Sequence, residues 1–94
     1  MTRRDRMASV LVQEFAPQIL EIVDESARHA GHAGAHPAGE THYRIVMQSE
    51  AFSGLGALAR HRLVKDALKP EFALGLHALS LDLRAPPKDA VGAV

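Results

Sequence analysis

The stretch "ALARHRLVKDALKPEFALGLHALSLDLR", residues 57–84, decides the fold. Ala57, His61, Val64 and Leu68 fall on one helical stripe, which predicts the main helix over 57–69, ending near Pro70. The piece "EFALG" adds a last turn, with Gly75 as punctuation. "HALSLDLRA" then alternates, with Leu79, Leu81 and Leu83 on one side and Ser80, Asp82 and Arg84 on the other. That is a strand with one buried face, and Pro86 and Pro87 stop it. A strand reached through a helix returns by a crossover, so it lies parallel to its neighbour.

Upstream, Tyr43, Ile45 and Met47 alternate with His42, Arg44 and Gln48, another half-buried strand. Ile19 to Val23 is compact and β-branched and reads as the first strand, able to pair antiparallel with it. Between the two lies "HAGHAGAHPAGETH", residues 29–42, without periodicity and with Gly31, Gly34, Pro37 and Gly39. Residues 29–40 are therefore expected to form a flexible loop, longer than most strand connections. A short amphipathic helix through Met7, Val10, Leu11 and Phe15 precedes Pro17. The predicted order is α-β-β-α-β: one α+β domain over 1–94, a three-stranded mixed sheet with helices on one face, and a frayed tail at 88–94.

With 94 residues, the chain suits one small core. Eleven basic side chains balance eleven acidic ones, so no long-range field draws it to nucleic acid or acidic lipid. The chain has no cysteine, which removes disulfides, thiolate zinc sites and a self-contained Cys₄ cluster. No apolar run nears the ~20 residues of a membrane-spanning helix. "MTRRDRM" is followed by no apolar leader core. A soluble, cytoplasmic monomer is expected.

Catalytic signatures are missing. The serines sit in neither a G-x-S-x-G elbow nor an S-x-x-K pattern, and "SGLGAL" lacks the lysine of a phosphate loop. Asp24 and Glu25 are adjacent at a strand end and point to opposite faces, as solvated side chains rather than an acid/base pair. No enzymatic activity is expected.

Histidine is the conspicuous donor. His29, His32 and His36 have helical spacings, but glycine and proline forbid the helix, so spacing alone proves no metal site. His42 belongs to the second strand and is set aside. His61, on the stripe of the main helix, reads as a hydrogen-bonded, half-buried structural residue. His77 opens the third strand, where it either closes the core edge or stays accessible as a ligand. Arg62, Lys65 and Lys69 form a basic line at i, i+3 and i+7, either an ordinary solvated face or a phosphate contact. Four aromatic residues make a base-stacking platform a poor reading.

Taken together, Asp24-Glu25-Ser26, Glu40-Thr41-His42-Tyr43, Phe52 with Gly54, Arg60-His61-Arg62 and His77-Ala78-Leu79 resemble the BolA family, in order and spacing, over about residues 6–87. The resemblance implies a fold similar to class II KH domains, although "SGLGAL" lacks their G-x-x-G clamp. It implies a monothiol glutaredoxin partner, with glutathione, that shares a [2Fe-2S] cluster with this chain. It places one ligand at His77 and the other, by position, at His29, with His32 and His36 as alternates. It also implies, as a second possibility, a DNA-binding regulator of stress response or cell shape that would use the main helix through Arg62, Lys65 and Lys69.

Overall fold

Helix α1 (Arg3–Phe15) starts at a capping box. The Thr2 hydroxyl accepts from the Asp5 N–H at 3.1 Å, and the Asp5 carboxylate accepts from the Thr2 N–H at 3.0 Å. That backbone hydrogen bond from Thr2 holds the Asp5 carboxyl below the usual carboxylate range. Met7, Leu11 and Phe15 recur every four residues and are buried. The helix ends at Ala16, whose φ of +42° is left-handed, with its N–H on the Val12 carbonyl. Pro17 follows and cannot continue the helix.

The computed structural model describes residues 1–26 and 41–87. After α1 come strands β1 (Ile19–Asp24) and β2 (His42–Gln48), a 3-10 turn at Glu50–Phe52, helices α2 (Ala57–Ala67) and α3 (Lys69–Ala73), and strand β3 (Ala78–Arg84). The sheet order is β1-β2-β3. β1 pairs antiparallel with β2, Ile22 opposite Ile45, and β3 lies parallel to β2, Ile45 beside Leu81. The expected mixed sheet and crossover are both present. The loop at 29–40 and the tail at 88–94 lie outside the described residues.

Alternation decides which face is buried. Tyr43, Ile45 and Met47 are enclosed beneath the helices together with Ile22, while Arg44 faces outward. Leu79, Leu81 and Leu83 pack against the same core from β3. Phe52 stacks at a tilt on Phe15, ring centres 5.3 Å apart, and Ser49 donates its hydroxyl proton to the Phe15 carbonyl, tying the end of β2 to the end of α1. The outer strands each have a carbonyl held by an arginine, Ile22 by Arg4 and Leu83 by Arg60, at 3.1 Å in both cases. Such contacts blunt sheet edges.

One boundary differs from the sequence reading. The main helix stops at Ala67, and Lys69 begins a separate α3. Pro70 lacks the N–H that a continuous helix needs and would clash with the preceding turn, so the chain restarts with Pro70 in a new first turn.

The restart brings Glu71 under α1. Its carboxylate is buried and accepts from Arg6 Nε and Nη2, both at 2.8 Å, and from Arg3 Nε at 3.2 Å. The Arg6 hydrogen bond, then that of Arg3, holds its carboxyl below the usual range against the opposing effect of burial. A lowered folded-state value means that the stabilisation is complete above the unfolded value near ~4.3 and is lost as pH falls through the folded value. Glu71→Gln is expected to cost about 1–3 kcal/mol at pH 7, with the gap to wild type closing below pH ~4, read by urea unfolding across pH. Ala16→Gly is expected to stabilise by about 0.5–1 kcal/mol in the same assay, because glycine adopts the left-handed cap without a Cβ clash.

Candidate functional site

The parallel register sets His42 beside Ala78, which leaves His77 alongside Thr41. The Thr41 carbonyl accepts from the His77 N–H at 2.8 Å and the Ala78 N–H at 3.1 Å. On its other side Thr41 is held by Ser26, at the end of the first strand. The Ser26 hydroxyl oxygen accepts from the Thr41 N–H at 2.9 Å and the His42 N–H at 3.1 Å. Ser26 and Thr41 are both buried. Ser26 is itself fixed, its N–H donating to the Asp24 carboxylate at 2.9 Å, and the Glu25 N–H donates to the His42 carbonyl at 2.7 Å. Ends of chain separated by fourteen residues (27–40) are therefore clasped together beside the start of β3.

The approach to His77 is equally constrained. Leu76 is buried and anchors the turn. Gly75 has φ +115°, a conformation that L side chains rarely adopt, and Arg3 Nη2 donates to the Leu74 carbonyl at 2.7 Å just before it. The chain then emerges with His77 exposed at the strand end.

His77 does not stand alone. The His42 ring lies with its centre 5.8 Å from that of His77, nearly perpendicular at 84°. Its Nδ1 is 2.9 Å from the Thr41 hydroxyl, which donates or accepts according to the tautomer. Glu25, His42, Tyr43, Ala78, Leu79 and Ser80 line a shallow depression at this end of the sheet. His42, set aside in the sequence reading as a strand residue, is thus a neighbour of the leading candidate. The missed signal was the register: one parallel step relates residue 42 to residue 78, and no one-dimensional pattern supplies it.

The other candidates disperse. His29, His32 and His36 lie outside the described residues. His61 is half-buried on α2. Arg62, Lys65 and Lys69 are all exposed, but Lys69 opens α3 and so does not extend the helical line of the other two. Among the described residues, no set of three His, Asp or Glu side chains converges on one point. No helix among them is long and apolar enough to cross a membrane.

The family model described as BolA-like protein matches residues 11–88. An uncharacterised protein of a cobS 5′ region in Sinorhizobium sp is 41% identical over 87 residues, covering 92% of this chain and 94% of that one. The chloroplastic protein BOLA1 of Arabidopsis thaliana is 42% identical, covering 89% of this chain, and BolA-like protein 1 of Mus musculus is 42% identical, covering 81%. This chain spans about half the length of those two relatives, 54% and 53%. Among solved structures, the BolA domain of SufE1 from Arabidopsis thaliana superposes with a TM-score of 0.82 at 41% identity, over 92% of this chain and 94% of that domain. The family model over residues 11–88, with relatives more than 40% identical along most of the chain, places the chain in the BolA-like family.

Proposed function

We propose that this protein is a cytoplasmic partner of a monothiol glutaredoxin and co-ligates a [2Fe-2S] cluster with it, in cluster trafficking or iron sensing. The observation that carries this reading is the clasp at Thr41. It sets the base of the β1–β2 connection, at Ser26 and Thr41, beside the exposed His77, which supports drawing a second ligand from that connection.

The donor chemistry fits. An exposed imidazole is a good ligand for iron, and a chain without cysteine leaves the thiolates to the partner and its glutathione. His77 would hold one position. For the second, the family position gives His29, within about 11 Å of Ser26, with His32, within about 21 Å of it, as an alternate. His36, five residues from Thr41, has a reach of about 18 Å. Imidazole in place of thiolate raises the potential of such a cluster, as in Rieske-type centres. The backbone clasp holds His77 without drawing on its side chain.

Adding the protein to a glutaredoxin–glutathione [2Fe-2S] dimer is expected to change the visible circular dichroism and to saturate at one chain per glutaredoxin. His77→Ala is expected to abolish the change, and His29→Ala to alter its spectrum more than His36→Ala does. A full wild-type spectrum with His77→Ala would sink the assignment.

A second reading, contact with DNA phosphates, is favoured by the exposure of Arg62, Lys65 and Lys69 on consecutive helices. Reversing all three charges is expected to abolish any DNA binding, and that binding is expected to weaken steeply with salt. Both are measurable by fluorescence anisotropy.

A further inference from the structure

The two outer strands of the sheet are not equally closed. In β1 the Glu25 N–H donates to the His42 carbonyl, so by the antiparallel register the odd-numbered residues bond to β2. Leu20, Ile22 and Asp24 turn their peptide groups outward, and Arg4 sits on the middle one, at the Ile22 carbonyl. In β3 the Ala78 N–H donates to the Thr41 carbonyl, and the Arg84 carbonyl accepts from the Ser49 N–H. The even-numbered residues of β3 therefore bond to β2, and Leu79, Leu81 and Leu83 face outward. Arg60 holds the Leu83 carbonyl, near the end of the strand. Among the described residues no hydrogen bond reaches the N–H and C=O groups of Leu79 and Leu81.

We propose that this edge accepts an added strand: an extended segment of a protein partner, with apolar side chains at alternate positions. An outward row of donors and acceptors is a template for a strand. Nucleic acid fits it poorly, because phosphates accept hydrogen bonds but cannot donate to the carbonyls.

The helix above the edge sets the chemistry of the segment. Arg60 reaches Leu83 from α2, and Leu63 and Ala67 follow it on the same helical flank. The chain then returns through α3 to the start of β3, so this flank follows the edge from Leu83 back toward Leu79. Leu63 is 42% exposed there. An added strand presents every second side chain to it, and those side chains are the apolar ones.

The same helix disfavours a second copy of this chain. Two β3 strands paired edge to edge lie about 4.8 Å apart. Each brings its own α2 over the joint, and packed helices need about 8–10 Å. A segment that carries no helix meets no such crowding. The surface adjoins the proposed ligand, since β3 opens just after His77, yet it does not depend on that reading.

The test uses the whole chain and a panel of short cysteine-free peptides, lysine-capped, with valine, isoleucine or phenylalanine alternating with threonine. Saturable binding is expected by fluorescence anisotropy. On binding, the Leu79 and Leu81 amides should gain at least about tenfold protection from hydrogen exchange, while those of Ser80 and Asp82, already bonded to β2, stay unchanged. Leu63→Glu should weaken binding by at least about fivefold, with circular dichroism showing that the variant is folded. N-methylation of one alternate set of peptide amides should abolish binding, and of the other set should leave it within about threefold.

Absence of saturable binding across the panel overturns the proposal. So does binding that both methylated sets retain, or protection gained at Leu20 and Ile22 instead. A dimer in sedimentation, protected at Leu79 and Leu81 without peptide, puts a second copy on the edge and overturns the choice of occupant. The peptides carry neither thiol nor cluster, so this result and that of the glutaredoxin titration can fail separately.

Discussion

The peptide unit of Thr41 is the point on which the site depends. Its carbonyl receives the N–H groups that open β3, and its N–H is held by the Ser26 hydroxyl at the end of β1. Three segments remote in sequence meet there, and Ser26 and Thr41 are buried at the junction. A buried polar group left without a partner costs about 1–3 kcal/mol, so the junction is either complete or strongly disfavoured. It makes the position of His77 a property of the sheet register rather than of a mobile side chain. The same junction carries the hydroxyl that meets His42, so both imidazoles are indexed to one residue.

The rest of the fold serves this corner from a distance. Glu71 draws Arg3 and Arg6 of α1 onto α3, and Arg3 continues to the Leu74 carbonyl, two residues before Leu76 anchors the chain. That path runs from the first turn of the molecule to the residue preceding His77. Ser49 and the Phe15–Phe52 contact close the opposite end of the sheet, so packing is tight where nothing is exchanged. The end that carries His77 is left shallow and open, with more apolar than polar surface in its depression.

Much of the fold was legible because its signals are local. The parity of Tyr43, Ile45 and Met47 fixed the buried face of β2, and the helix-then-strand order of residues 57–84 implied the parallel return of β3. The break at Leu68 was harder to read, since helical periodicity runs on through Lys69 and only the missing N–H of Pro70 interrupts it. Nothing near Glu71 in sequence announces that two arginines some 65 residues away enclose it. The site was half legible. His77 stood out at a strand start after Gly75, whereas His42 was hidden by its place in an alternating strand and emerged through pairing across the sheet. The roles of Ser26 and Thr41 were invisible for the same reason: they act through backbone bonds between segments, and composition carries no trace of those.

The most direct test of this account is amide hydrogen exchange on Ser26→Ala beside the wild type, read at Thr41, His42, His77 and Ala78. The account predicts strong protection at all four in the wild type. In the variant it predicts loss of protection at Thr41 and His42, carried over to His77, with Ile45 and Met47 unchanged. Unaltered protection at His77 in a folded Ser26→Ala protein would contradict it, and the clasp would then have no part in holding His77.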